Sequence, residues 1–259
     1  MVKTVHCMIR DQPHYRADAF RLGLKRAGYT PTDHQNCDLL VVWNRYGWRD
    51  QVAKETEKRG GKVIVVENGY LGNEFAGDRW YAMSISQHNG AGTYPQGGPE
   101  RWDSLGVEIA PWQNGDLPLV VLPQRGIGPP GVAMPNGWTE RICASLNRQK
   151  IKHRVRQHPG KQTRIVDLQQ DLAGARGVLT WGSGAALKAM LYGIPAFYDF
   201  PRWIGAPAAR ACELTDFHEP IPAPMVDRRL DMFRRLAWAQ WRVSEIESGE
   251  AITTLVELN

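Results

Sequence analysis

Three observations in this 259-residue sequence predict an α/β protein of two Rossmann-like halves with parallel sheets, closed by C-terminal helices. Apolar runs of strand length alternate with amphipathic helical stretches, and they do so twice. Between the two alternations lies a stretch rich in Gly, Asn, Gln and Pro, from about residue 71 to residue 115. With 42% hydrophobic and 23% charged residues, the chain has the balance needed to bury a core in each half. The boundaries read as 1–110 for the first half, 111–225 for the second and 226–259 for the closing helices.

The first half opens with a strand from Val2 to Ile9, β-branched and alternating, that ends in the polar loop Arg10-Asp11-Gln12-Pro13-His14. A helix follows from Tyr15 to Ala27, with apolar residues at Ala19, Phe20, Leu22 and Leu24 and Gly28 as its stop. Asp38–Trp43 is a continuous apolar run, which suits a strand covered on both faces. A second helix covers Trp48–Arg59 before Gly60-Gly61, and Lys62–Val66 is the third strand. The interrupting stretch reads as loops with short strands and one helix.

The second half starts with a strand at Leu117–Leu122, then the Gly-rich turn 123–130 and a helix at Trp138–Gln149. Strands at His153–His158, Gly177–Thr180 and Ile194–Tyr198 are separated by helices at Asp167–Ala173 and Gly184–Tyr192. The closing helices, Asp227 to Glu247, combine Arg-rich faces with an apolar set of Leu230, Phe233, Leu236, Trp238 and Trp241.

Composition excludes several classes. No apolar run reaches the ~18 residues of a membrane span, and the N-terminus has no charged segment leading into an apolar one. An export signal and an integral membrane segment are therefore not expected. Cys7, Cys37, Cys143 and Cys212 form no CxxC pair, so neither a zinc site nor a disulfide framework is predicted, and reduced thiols in a cytoplasm are. Lys+Arg 32 against Asp+Glu 27 gives +5, which suits an anionic ligand or a nucleic-acid surface. Ten tryptophans supply planar faces for sugar or base stacking, although core packing is their commoner use.

Ligands of parallel sheets bind beyond the carboxyl ends of the strands, and the chemistry-bearing residues gather in those loops. They are Asp11 and His14 after the first strand, Glu67-Asn68-Gly69 after the third, Gln124-Arg125-Gly126 after the fourth, and Trp181-Gly182-Ser183-Gly184 after the sixth. Arg156, His158 and Pro159 end the fifth strand. Gly182-Ser183-Gly184 joins a strand to a helix, where free N–H groups and the helix dipole favour a phosphate. The plainer role for Ser183 is an N-cap. The chain lacks GxxxxGK[ST], and Gly126-x-Gly128 lacks the third glycine of the dinucleotide fingerprint.

Taken together, these segments resemble glycosyltransferases of the GT-B fold, most closely the capsular polysaccharide biosynthesis transferases. Val65-Val-Glu-Asn-Gly-Tyr-Leu71 is similar to that family's hydrophobic-Glu-x-Gly-Tyr element, and Arg156-Gln-His-Pro159 to its His-Pro element. The run from Val178 to Pro195 resembles the GT-B segment in which a Ser-rich turn opens a helix that ends at Gly-x-Pro. The resemblance covers about residues 60 to 200. Two departures stand out: Lys188 occupies the helix position where the family carries an acid that contacts the donor ribose, and the chain is short for the fold. A looser resemblance, over Trp238–Gly249, is to proteins of bacteriophage genomes.

The resemblance implies a metal-independent transfer of a sugar from a nucleotide-sugar donor to an acceptor hydroxyl, with no cofactor beyond the donor as co-substrate. Gln124, Arg125, Gly126, Arg156, His158, Pro159, Trp181, Gly182, Ser183, Gly184 and Lys188 would then hold the donor. Asn44, Asn68, Gly69 and Tyr70 would lie on the acceptor side. Asp11 is the first candidate for the base, followed by His14 and Glu67. In plainer roles Asp11 caps the first helix and Glu67 holds Asn68 or a loop amide. The acceptor is a glycan or a hydroxymethylated base of phage DNA, which would have to be flipped out of a duplex. The location implied is the cytoplasm of a bacterium, with the gene its own or a phage's. A non-catalytic nucleic-acid binder is the competing class, and it would lack a nucleotide pocket.

Overall fold

The computed structural model describes residues 3–160, 166–212 and 226–258. Its first elements are β1 (Lys3–Cys7), a 3-10 turn (Pro13–Tyr15), α1 (Ala17–Arg26), β2 (Tyr29–Pro31), β3 (Leu39–Trp43), α2 (Trp48–Lys58) and β4 (Lys62–Asn68). Then come β5 (Glu74–Phe75), β6 (Asp78–Ile85), α3 (Glu100–Asp103), β7 (Leu119–Leu122), α4 (Trp138–Arg148), β8 (His153–Val155) and α5 (Leu168–Leu172). The remainder is β9 (Val178–Thr180), α6 (Gly184–Leu191), β10 (Ala196–Tyr198), β11 (Arg210–Ala211), α7 (Arg229–Ala237), β12 (Gln240–Arg242), α8 (Val243–Ser248) and α9 (Glu250–Val256).

The chain divides into two compact units. The first comprises Met1–Leu105, Ile127–Val132 and Arg234–Asn259, and the second Gly106–Gly126 with Ala133–Phe233. Residues 234–259, read from sequence as part of a separate closing segment, thus belong with the first unit. Part of the reading at its border, residues 213–225, lies outside the described residues.

The first unit carries a seven-stranded sheet in the order β12-β6-β4-β3-β1-β2, with β5 paired to β6. Strands β2, β1, β3 and β4 are mutually parallel, but β6 runs antiparallel to β4 and β12 antiparallel to β6. The wholly parallel sheet predicted for this half is therefore corrected to a mixed one. The reason is chain length: no helix lies between β4 and β6, and a short connection returns a strand antiparallel. Strand β6 lies in the stretch read as loops with short strands, where it is the longest strand, eight residues.

The end of the chain completes this unit. Trp241 of β12 pairs with Tyr81, and its ring joins the core formed by Val5, Phe20, Leu39, Val41, Ile64 and Val66. Ile246 and Ile252 of α8 and α9 pack into the same core. A Cβ on Gly23 of α1 would lie 1.8 Å from the carbonyl oxygen of Ile246, so only glycine permits this helix contact. The helix predicted through Trp241 is interrupted because β6 offers a sheet edge at that position.

The second unit has a five-stranded sheet, order β11-β10-β9-β7-β8, with every pair parallel as predicted. Its core joins Leu119 and Val121 of β7, Leu179 of β9 and Phe197 of β10 to Trp138, Ile142 and Leu146 of α4. Gly193, at φ 83°, ends α6; a Cβ there would meet the carbonyl oxygen of Pro111 at 2.0 Å.

Candidate functional site

In the second unit, β7 is flanked by β8 on one side and β9 on the other, so the direction of winding reverses between β7 and β9. The loops leaving two such strands diverge to opposite faces and open a crevice at their carboxyl ends. Here those loops are the ones that carry Gln124-Arg125-Gly126 and Trp181-Gly182-Ser183-Gly184. Gln124 Nε2 donates to the Gly182 carbonyl at 3.1 Å, which ties the two loops together. Its Oε1 is buried without a partner among the described residues.

Local bonds then shape the turn. Thr180 Oγ1 donates to Leu122 O at 3.2 Å and accepts the Ser183 N–H at 2.9 Å. Ser183 Oγ accepts the Ala185 N–H at 3.1 Å, so Ser183 is the N-cap of α6. Its own N–H is thereby occupied. The N–H groups of Gly182 and Gly184 make no hydrogen bond among the described residues, which leaves two amides and the α6 dipole for an anion.

The cations sort into two kinds. Arg156 is held by Asp171 of α5 at 2.6 Å and by the Val166 carbonyl at 3.1 Å, and Arg154 reaches the same carboxylate at 3.0 Å. Two residues apart on one strand face, they share one acid, so Arg156 braces α5 in this structure. Arg125 is exposed on the loop after β7, and Lys188 is half-buried on α6 with no ion pair among the described residues. Burial lowers the Lys188 pKa, partly opposed by Asp167.

His158 Nδ1 accepts the Gly160 N–H at 3.0 Å, which places the ring proton of the neutral form on Nε2. Partial desolvation, followed by the charges of Arg125 and Arg156, lowers its pKa. Both effects favour the neutral imidazole, whose Nε2–H is then the group that faces outward as a donor. Pro159 follows it half-buried, Gly126 turns with φ 64°, and the Trp181 ring stacks on Phe200 at 5.7 Å.

In the first unit the candidates lie at the ends of β1, β3 and β4 and in the loops that follow them. Asp11 is exposed and pairs with Arg21 at 3.1 Å; it does not cap α1, whose N-cap is Arg16. His14 lies in the 3-10 turn, its carbonyl accepting from the Tyr81 hydroxyl at 2.5 Å. Glu67 Oε2 accepts the Asn89 N–H at 2.8 Å, which is the loop-amide role. Asn68 is exposed and accepts from Asn73 at 3.1 Å. Gly69 lies where a Cβ would meet Gly72 O at 2.6 Å, and Tyr70 is buried, its hydroxyl accepting the Gly90 N–H at 3.2 Å. Burial, then the Glu67 charge, raises the Tyr70 pKa well above its ordinary value. Asn44 sits at φ 57° where β3 ends.

The loop after β3 holds what the sequence reading missed apart from Asn44. Arg45, 2% exposed, binds Glu57 through two bonds of 2.6 and 2.9 Å, Asp50 at 2.8 Å and the Ser86 carbonyl at 2.6 Å. Its backbone N–H donates to Nε2 of the buried His88 at 3.0 Å. An arginine five residues before one acid and twelve before another on a single helix was the available signal. A cleft of about 410 Å³ in the second unit, lined by Trp138, Arg141, Arg148 and Asp199 among others, contains none of the predicted residues.

Among the described residues no three His, Cys, Asp or Glu side chains group to hold a metal ion, and no helix is long and apolar enough to cross a membrane. In the Arg-rich closing segment, Arg229 is paired with Asp227 at 2.6 Å and Arg242 with Asp78 at 2.9 Å. Arg234 likewise binds Asp103 at 2.7 Å.

No protein-family model matches the chain, and no curated protein matches it. Among solved structures, it is similar to the β-Kdo 2,4 transferase of Thermosulfurimonas dismutans KpsC, with TM-score 0.58 and 12% identity over 93% of this chain and 92% of the other. It is also similar to the β-Kdo 2,7 transferase of the same protein, with TM-score 0.57 and 14% identity over 98% of both chains. The chain therefore has the fold of these transferases, and the GT-B architecture implied by its motifs is the one they carry.

Proposed function

We propose that the chain is a glycosyltransferase that moves a sugar from a nucleotide-sugar donor to a hydroxyl of an acceptor glycan, without a metal ion. The observation that carries this reading is the crevice between β7 and β9. There Gln124 joins the two loops, and two N–H groups with no partner among the described residues stand at the start of an eight-residue helix. Such a site suits the phosphate of a nucleotide. Arg125 and Lys188 supply positive charge beside it, and neutral His158 supplies an N–H donor. As the sugar bond breaks, negative charge grows on the leaving phosphate, and fixed dipoles and cations stabilise that charge without reorganising. Asp11 takes the acceptor proton in this reading.

The Kdo transferases of like fold support a glycan as acceptor, and they make an activated Kdo the first donor to test. DNA is the weaker reading because Arg229, Arg234 and Arg242 are already paired with acids. A thermal-shift and hydrolysis screen across nucleotide sugars tests the proposal. One donor that raises the melting temperature and is slowly hydrolysed supports it; no shift with any donor overturns it.

A further inference from the structure

We propose that Tyr46, Trp48 and Arg49 form a platform that binds an acidic sugar residue of the acceptor; this deepens the glycosyltransferase reading and rests on it. These residues follow β3 at its carboxyl end, the side of a parallel strand set on which ligands bind. Tyr46 is 42% and Trp48 56% exposed, whereas the tryptophans at 80, 102, 138 and 241 are fully buried. The Arg49 guanidinium lies 4.9 Å from the Trp48 ring centre and 6.0 Å from that of Tyr46, so one cation spans both rings. It makes no ion pair among the described residues, and its Nε is buried without a partner.

The loop is held from beneath. Arg45 is fixed by Glu57, Asp50 and Ser86, while Asn44 at φ 57° and Gly47 at φ 55° set the turns on either side of it. Large rings displayed on a pinned loop lose little freedom when a ligand docks. Gly47 gives α2 no side-chain cap, so the N–H groups of Trp48 and Arg49 have no acceptor among the described residues.

Two chemistries thus meet. An aromatic face with negative π-density suits the apolar, slightly positive C–H face of a pyranose. A guanidinium with no ion pair among the described residues, beside a helix N-terminus, suits a carboxylate. A sugar ring bearing a carboxylate satisfies both, a neutral sugar only the first, and an isolated anion only the second.

The test measures binding of the full chain to an array of acidic and neutral oligosaccharides and to an oligothymidylate. Trp48→Ala, Trp48→Phe and Arg49→Gln are compared with wild type after melting curves confirm folding. Wild type is expected to favour the acidic glycans. Trp48→Ala and Arg49→Gln should each lose about tenfold or more in affinity, with Trp48→Phe retaining most of it. Binding confined to neutral glycans or to the oligothymidylate, no glycan binding at all, or wild-type affinity in both loss variants overturns the platform. Nucleotide-sugar thermal shifts on the same samples separate the two readings. A shift with an unaffected Trp48→Ala removes the platform alone, and no shift in wild type removes the transferase reading.

Discussion

Gln124 and Gly182 are joined by a 3.1 Å hydrogen bond that crosses from the loop after β7 to the loop after β9. It sets the width of the crevice in which a nucleotide would lie. Gln124→Leu keeps the side-chain volume and removes the bond. About 1 kcal/mol of stability should go with it, together with roughly tenfold in nucleotide-sugar affinity. Urea unfolding and titration calorimetry report the two effects; unchanged affinity would detach this crevice from donor binding.

Ser183 acts through its hydroxyl on the Ala185 amide, so its variants separate capping from ligand contact. Ser183→Ala should cost about 1 kcal/mol, and Ser183→Thr should cost less. Ser183→Asp retains a cap but places a negative charge where the donor phosphate is proposed, so it should remain stable while donor affinity falls at least tenfold. A Ser183→Asp variant with wild-type affinity would argue that no anion sits there.

Stability should decline on acidification because of His88. The residue is 1% exposed, and burial chiefly lowers its pKa, with the Arg45 charge adding and Glu67 and Asp50 opposing. A folded pKa below the unfolded value means that the unfolded chain binds the proton more readily. The contribution is therefore complete above about pH 6.5 and is lost as pH falls below it. The slope from this one group is at most about 1.4 kcal/mol per pH unit. His88→Asn, which keeps an acceptor for the Arg45 N–H, should flatten the dependence of urea stability on pH between about 7.5 and 5.5.

Asp11 is exposed, and its pair with Arg21 is a surface one, so Asp11→Asn should change stability by less than about 0.5 kcal/mol. As the proposed base, its loss should slow transfer by about 10²–10⁴ with donor affinity retained. Glu67→Gln keeps an oxygen for the Asn89 N–H and serves as the comparison. If Glu67→Gln is the slow variant and Asp11→Asn turns over normally, the base is Glu67.

The elements whose signal is local were legible in the residues alone. Leu39–Trp43, Val63–Val66 and Leu119–Leu122 are unbroken apolar runs because both faces of a central strand are covered, and that holds in any register. The turn that opens α6 was legible for the same reason, since a Ser flanked by glycines between strand and helix needs only near neighbours to act as a cap.

Features that depend on distant partners emerge only when the chain is folded. Gln240–Arg242 is a strand only because β6 presents an open edge there, and Trp241 follows the spacing of a helix until that pairing is made. The direction of β6 follows from the short link after β4, not from its residues. The roles of the arginines depend on acids far along the chain: Asp171 takes Arg156, and Asp103 takes Arg234. Which polar side chains have no ion pair among the described residues, as Lys188 and Arg49 do not, follows from how the other charges are satisfied, and spacing along the chain carries no record of that.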